Sequence, residues 1–308
     1  LVTALNSFGC QIQYELNPGY PPLLISPPQL QAQSVIMIDG SVSSQFLTAL
    51  LLVSPLIAAK TAQPVKIQVQ GELSSKPYIA ITLNLMARFG VHVEQQDWQT
   101  FSIAADAQYH NPVSIDIEGD ASSASYFMAL GLIGQGPVRI VGVGRASIQG
   151  DIQFADVLAD MGAKVDMGDN YVEVSAPSLQ ERALKAFDRD FNLIPDAAMT
   201  AAVLALYADG PCTLRNIASW RVKETDRIAA MHAELSKLGA QVSSGPDWLR
   251  IEPPQQWRSA SIDTYDDHRM AMCFSLANFG PVGVRIMDPD CVAKTFPQYF
   301  SVYQELVK

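Results

Sequence analysis

The sequence predicts an α/β protein of two domains, built from one helix-and-strand unit used several times over. Three observations lead there. An apolar, helix-like stretch that ends in glycine and runs into an alternating strand recurs four times: L-V-T-A-L-N-S-F-G-C-Q-I, I-T-L-N-L-M-A-R-F-G-V-H-V, F-A-D-V-L-A-D-M-G-A-K-V and A-A-M-H-A-E-L-S-K-L-G-A-Q-V. A second element recurs out of phase with the first, with acidic or small polar residues ahead of an apolar helix: D-G-S-V-S-S-Q-F-L-T-A-L, E-G-D-A-S-S-A-S-Y-F-M-A-L, I-P-D-A-A-M-T-A-A-V-L-A-L and D-D-H-R-M-A-M-C-F-S-L. Finally, 308 residues, 48% hydrophobic and 17% charged, suit two globular cores rather than disorder or fibre.

The elements follow in order. The repeat glycines are Gly9, Gly90, Gly162 and Gly239, spaced 72 to 81 residues apart. Each stands where a helix stops, because the left-handed C′ position is least strained without a Cβ. After the out-of-phase helices come turns and β-rich runs such as G-P-V-R-I-V-G-V and G-P-C-T-L-R-N-I. One period of about 75 residues thus reads helix, strands, helix, strand, longer than a solenoid repeat and the size of a βαβ-type module. Helical periodicity is explicit where Ile228, Met231, Leu235 and Leu238 share one face, and again for Phe154, Val157, Leu158 and Met161. A domain boundary is expected near Ile117-Glu118-Gly119, after the polar stretch from Gln95 to Pro112. This gives domains 1–118 and 119–308.

A net charge of -10 argues against nucleic-acid binding, which calls for a basic stripe. Small anionic ligands remain open, because they respond to the local field of a cleft. Cys10, Cys212, Cys273 and Cys291 are scattered without metal-ligand or disulfide spacing, so a reducing, cytoplasmic setting is expected. The longest apolar run, Phe46 to Ala59, is broken by Thr48, Ser54 and Pro55 and is shorter than the roughly 20 residues of a membrane span. No initiator Met or basic-flanked leader opens the chain, which reads as if cut from something longer.

Several helix starts carry chemistry-bearing residues. Ser41-Val42-Ser43-Ser44-Gln45 reads as an N-cap or as an anion site, since free N–H groups and hydroxyls serve both. Ser74-Ser75-Lys76-Pro77-Tyr78 repeats that pattern with a lysine added. Trp220-Arg221-Val222-Lys223-Glu224-Thr225-Asp226-Arg227 could be a solvated helix face. However, Lys223 and Arg227 are four apart and share a face with Trp220, and cations in a first turn oppose the dipole, which a bound anion would offset. Asp196 is a single acid in an apolar stretch, an N-cap or a hydroxyl clamp; His268-Arg269 behind Asp266-Asp267 is a structural pair or a catalytic one. Lys294 reads naively as surface charge. His92, His110 and His232 have no such company. Together these starts fit a cleft fed by convergent helix N-termini and suited to a substrate with several negative charges.

The strings D-G-S-V-S-S-Q-F, S-K-P-Y-I, E-G-D-A-S-S-A-S-Y-F, Q-G-D-I-Q-F-A-D-V-L, I-P-D-A-A-M-T, W-R-V-K-E-T-D-R, D-H-R-M-A-M-C-F-S-L and A-K-T-F-P occur in family order over nearly the whole chain. In them the sequence resembles the 5-enolpyruvylshikimate-3-phosphate synthase family, in its enterobacterial-like form. The resemblance implies a two-domain inside-out α/β barrel of repeated βαβαββ modules, the first domain incomplete with about two modules and the second with about three. It implies transfer of the enolpyruvyl group of phosphoenolpyruvate to the 5-hydroxyl of shikimate 3-phosphate, with release of phosphate and without a metal or organic cofactor, in the shikimate pathway of aromatic amino acid biosynthesis. A cytoplasmic monomer acting on small molecules, with no nucleic acid or membrane partner, is expected. So is a place among the targets of glyphosate.

Carried over by position, the resemblance puts Ser43, Ser44 and Ser75 on the shikimate phosphate, Gln45 against both substrates and Tyr78 along the shikimate pocket. Asp196 would bond the reacting hydroxyls, with Lys223 on the same side. Arg227, His268, Arg269 and Lys294 would surround phosphoenolpyruvate, and Glu224 would be the acid/base near its methylene carbon. Asp196, Lys223, Glu224 and His268 are the expected catalytic set. Ser219 stands where the family has Asn and reaches less far toward a sugar. The family's amino-terminal Lys-Ser grip, Asn-Ala-Gly-Thr-Ala loop and a following Arg have no counterpart here, so this chain alone is expected not to turn over. Two alternatives stay open: a non-catalytic fragment that keeps part of the substrate site, and the sibling transferase acting on UDP-N-acetylglucosamine, which the serine strings disfavour.

Overall fold

The computed structural model describes residues 1–31, 35–41, 43–73, 75–134, 136–176 and 184–308. Val42 and Ser74, from the two serine strings, lie outside the described residues. Two compact units form, Leu1–Asp116 and Ile117–Lys308.

The first unit opens with helix α1 (Val2–Ser7) and the antiparallel pair β1 (Gln11–Tyr14) and β2 (Leu23–Ser26). A βαβαββ run follows: β3 (Ile36–Asp39), α2 (Ser44–Thr61), β4 (Val65–Gln70), α3 (Lys76–Arg88), β5 (Val93–Gln96) and β6 (Thr100–Ile103). Its sheet has the order β3-β4-β6-β5, with β3 parallel to β4 and β6 antiparallel to both neighbours. A parallel pair needs a crossover, which α2 supplies, while β5 and β6 need only a tight turn. Asp97 and Trp98 form that turn at φ of 48° and 58°, the handedness that suits the twist of a hairpin. Along β4 buried and exposed residues alternate strictly, so one face meets the core residues Leu47, Leu50, Ile79 and Phe101.

Helix α2 departs from expectation. It is 18 residues long, running through Pro55, and by length and composition alone is long enough and apolar enough to cross a membrane. Leu47, Leu50, Leu51, Ile57 and Ala58 nevertheless belong to the core of this unit, the placement of a globular core helix. The polar residues that break the run in sequence do not break the helix. Buried Ser54 donates its hydroxyl to Leu50 O at 2.6 Å.

The second unit comprises α4 (Ala121–Ile133), β7 (Val138–Val141), α5 (Phe154–Asp160), β8 (Lys164–Met167) and β9 (Tyr171–Ser175), with sheet order β7-β9-β8. Next come β10 (Asp188–Asp190), α6 (Ala198–Leu204), β11 (Cys212–Arg215), α7 (Arg227–Lys237), β12 (Gln241–Ser244) and β13 (Leu249–Glu252). Their order β10-β11-β13-β12, one parallel pair and then two antiparallel ones, repeats the sheet of the first unit strand for strand. The chain closes with β14 (Ala260–Ile262), α8 (His268–Ser275), β15 (Val284–Ile286) and α9 (Tyr299–Leu306), β14 and β15 again being parallel. The four repeat glycines all adopt positive φ, from 84° at Gly90 to 107° at Gly162.

Helices fill the inside of the second unit. Every residue of α6 is buried, as is every residue of α4 from Ala121 to Leu132. A helix apolar all round has no face for water. Small side chains let these helices approach the sheet: a Cβ on Gly131 of α4 would stand 2.3 Å from Val174 O of β9. Backbone cannot yield as a flexible side chain does, so Gly131→Ala should destabilise this unit by about 1–3 kcal/mol. Chemical denaturation measures it, and an unchanged midpoint would contradict the close approach.

Candidate active site

Parallel strand pairs place the polar helix starts. Two parallel neighbours send their following loops out at the same edge, where α/β folds bind ligands. The loops after β3 and β4, β10 and β11, and β14 and β15, with the first turns of the helices that follow them, contain all of the singled-out residues.

In the first unit, Asp39 ends β3 in register with Gln70 at the end of β4. The Asp39 carboxylate accepts from Ser41 N and Oγ at 2.9 and 2.6 Å, and these bonds hold its pKa below the ordinary value. Ser43 is the N-cap of α2, its Oγ accepting from Gln45 N at 3.2 Å; Ser44 is buried behind it and Gln45 is exposed. Ser75 stands at the start of α3 in left-handed conformation (φ 53°), buried, with its side chain making no capping bond to the helix. A strained serine whose hydroxyl does not cap its own helix is free to serve another group. Tyr78 is half-buried one turn on. Thr48 and Thr82 hydroxyls, 3.0 Å apart, tie α2 to α3.

In the second unit, a network that runs from buried Arg227 and Asp267 out to exposed Lys294 gathers residues from four loops. Arg227, first residue of α7 with a side chain 1% exposed, donates Nε to Asp267 Oδ2 (2.7 Å), Nη1 to Asp196 Oδ1 (2.9 Å) and Nη2 to Glu224 Oε2 (2.7 Å). Arg269 takes the other Asp196 oxygen through Nη2 at 3.0 Å and donates Nη1 to Tyr126 OH at 3.3 Å. Asp196 is therefore clamped between two guanidiniums, each bonding a different oxygen. Lys294 Nζ sits 2.5 Å from Glu224 Oε1. Burial works to raise the Glu224 pKa, but the Lys294 hydrogen bond and the Arg227 charge outweigh it and hold the carboxyl at about 2. His268 is buried, and its Nδ1 has no hydrogen-bond partner among the described residues; Asp267 Oδ1 lies 3.7 Å off. Burial, then the Arg269 charge, lower its pKa despite Asp267 and Glu224, so the imidazole rests neutral.

Six singled-out residues thus meet in this unit: Asp196, Glu224, Arg227, His268, Arg269 and Lys294. Ser219 lies half-buried in a 3-10 turn over Ala218–Val222, and Lys223 follows it, half-buried; among the described residues Lys223 pairs with no carboxylate. The expected shared face of Trp220, Lys223 and Arg227 does not exist, because the 3-10 turn ends before α7 begins at Arg227. Arg227 does not depend on a bound anion either: three carboxylates offset its charge. Trp220 instead is fully buried and donates Nε1 to Pro195 O at 2.7 Å, bracing the residue before Asp196.

Reading the sequence missed two acids. Asp267 caps α8 through Arg269 N (2.9 Å) and is the deepest partner of Arg227; an acid immediately ahead of His-Arg at a helix start was its visible signal. Asp151 is buried, accepts from Ser122 Oγ at 2.5 Å, and leaves Oδ1 without a hydrogen-bond partner among the described residues. Burial, then the Asp196 charge, push its pKa up to about 6 against the Ser122 bond.

Among solved structures, the chain is similar to EPSP synthase from Acinetobacter baumannii (TM-score 0.77, 23% identity, 99% of this chain and 69% of that one) and to the enolpyruvyl transferase NikO from Streptomyces tendae (TM-score 0.68, 20% identity). At these identities the likeness speaks for the fold, the repeated α/β modules expected above. Sequence relatives are nearer. The 3-phosphoshikimate 1-carboxyvinyltransferase of Bordetella petrii is 62% identical over 310 residues, covering 100% of this chain and 69% of the relative. That of Burkholderia orbicola is 59% identical, covering 71% of the relative. With residues 1–303 also matching the family EPSP synthase (3-phosphoshikimate 1-carboxyvinyltransferase), the chain belongs to that family.

Proposed function

We propose that the two units divide the substrates of enolpyruvyl transfer between them. The first holds shikimate 3-phosphate through Ser43, Ser44, Gln45, Ser75 and Tyr78. The second holds phosphoenolpyruvate through Arg227, His268, Arg269 and Lys294, with Ser219 and Lys223 reaching the sugar and Gln45 touching both substrates. The observation that carries this reading is Asp196, its two oxygens bonded by two arginines at the edge where parallel strands end. Such an acid can accept from a sugar hydroxyl while the guanidiniums stay oriented, and planar guanidiniums suit carboxylate and phosphate.

The reaction adds a proton to the methylene carbon of phosphoenolpyruvate, while the sugar 5-hydroxyl gives up its proton to Asp196 as its oxygen bonds to the adjacent carbon. Phosphate then leaves that carbon and the methyl group gives up a proton, restoring the double bond. Glu224, ionised at rest, first accepts a proton. A substrate phosphate that draws Lys294 away removes one of the two cations that hold Glu224 ionised and raises its pKa, so the carboxyl takes up a proton from solvent more readily as the substrate binds. Arg269 and Lys294 then meet the charge that builds on the departing phosphate. His268, neutral and buried, can bond the same anion without adding a full charge.

Replacing one arginine tests the division. Arg269→Gln should lower kcat/KM for phosphoenolpyruvate about 100-fold and leave binding of shikimate 3-phosphate intact, whereas Ser75→Ala should weaken only the latter. Steady-state kinetics of the full encoded enzyme, with calorimetry for each substrate, measure both. An unchanged phosphoenolpyruvate dependence in Arg269→Gln, or a response to UDP-N-acetylglucosamine in place of shikimate 3-phosphate, would overturn the assignment. We further infer a cytoplasmic monomer without nucleic-acid or membrane partners, which the net charge of -10 and the free cysteines favour.

A further inference from the structure

We propose that Glu234 and Tyr265 form a latch that holds the loop ahead of α8, and so sets the aim of His268 and Arg269. Both are positioning residues, and the proposal rests on the reading above that places phosphoenolpyruvate against that pair. Glu234 lies in α7 two turns beyond Arg227, with its side chain 0% exposed. Burying a carboxylate is costly unless each oxygen is bonded, and here each is. Tyr265 OH donates to Oε1 at 2.6 Å, while Asp263 N (3.1 Å) and Lys237 Nζ (2.7 Å) donate to Oε2. Lys237 also reaches Asp263 Oδ2 at 2.8 Å and Ser261 O at 3.4 Å. All of the partners outside α7 therefore belong to one short stretch, Ser261 to Tyr265, the end of β14 and the start of its connection to α8.

That stretch ends under strain. Tyr265 and Asp266 are consecutive non-glycine residues, both at φ 56°. Each such residue carries a steric cost and persists only where its surroundings impose it. Directly beyond them, Asp267 N donates to Thr264 O at 2.9 Å, and the Asp267 carboxylate caps α8 and binds Arg227. Helix α7 thus grips the connection at two points two turns apart: Arg227 holds Asp267, and Glu234 holds Tyr265. Among the described residues, Glu234 bonds Tyr265, Asp263 and Lys237, all outside the Asp196–Arg269 cluster. Their effect on it passes through the backbone that they fix. The Tyr265 hydroxyl, its pKa pushed up to about 12 chiefly by burial and then by the Glu234 bond, remains a donor at every working pH.

A merely structural contact would lower the melting temperature or the active fraction and leave substrate preference alone. A latch that aims His268 and Arg269 predicts a selective defect. In the full encoded enzyme, Tyr265→Phe should raise KM for phosphoenolpyruvate about tenfold, equivalent to about 1.4 kcal/mol, with KM for shikimate 3-phosphate unchanged. Glu234→Gln should do the same, and the double variant should be no worse than the singles, because the two act as one unit. Tyr265 is partly exposed, so its variant keeps the test open should Glu234→Gln fail to fold. Arg269→Gln is the control. If it raises KM for phosphoenolpyruvate while Tyr265→Phe does not, the latch is wrong and the site reading stands. If neither does, the site reading fails and the latch falls with it.

Discussion

Arg227→Met should destabilise the second unit by about 3–5 kcal/mol, the cost of leaving a buried charge without its partner. The side chain offers nothing to water and binds Asp196, Glu224 and Asp267 at once. Its removal strands Asp267, which is 0% exposed, and frees Asp196 from one of its two guanidiniums. Arg227→Lys should recover part of the stability and little of the activity. An ammonium restores the charge but cannot point at three carboxylates in the directions that the guanidinium fork does. Urea denaturation of the variants reads the first effect and kcat/KM the second. A loss of stability under about 1 kcal/mol, the range of an exposed pair, would mean the network is solvated rather than buried.

Asp151→Asn should act in the opposite direction and make the protein more stable at alkaline pH. Burial and the neighbouring Asp196 raise the Asp151 pKa from 3.8 to about 6 in the folded chain. Between those values the folded state holds a proton that the unfolded state has released, so stability falls as pH rises through this window and stays low above pH 6. A rise of about two units corresponds to about 3 kcal/mol at pH 8, as an upper limit. Asparagine keeps an oxygen for Ser122 Oγ to donate to and removes the charge. The gain in melting temperature at pH 8 should therefore shrink steadily below pH 6 and vanish near pH 4. A gain that did not vary with pH would point to packing instead of ionisation.

These two residues show what the sequence discloses and what it withholds. Gly9, Gly90, Gly162 and Gly239 disclose the repeat, because a left-handed helix end requires a residue without Cβ and the requirement returns with each module. Ile228, Met231, Leu235 and Leu238 disclose the buried face of α7 because neighbours on a helix face are neighbours in sequence. The Arg227 network follows no such period. Two of its three carboxylate partners lie 31 and 40 residues away, and only the meeting of the β10, β11 and β14 ends brings them together. Asp151 is hidden for the same reason, since the Ser122 hydroxyl comes from the start of α4 and the Asp196 charge from the loop after β10. The misread face of Trp220 and Lys223 has a different origin. Charge spacing suggests a continuous helix, but a 3-10 turn lets Trp220 brace Pro195 while Asp226 caps the helix proper.

The interior position of α4 and α6 reverses the usual allocation of freedom along a chain. Most proteins can alter solubility or net charge on the outer stripe of their helices, but these helices have none. The latitude belongs to the sheets, where alternate residues of strands such as β4 and β7 meet solvent. Engineering that recolours this surface should begin on those alternate strand positions, leaving α4 and α6 as the part least open to revision.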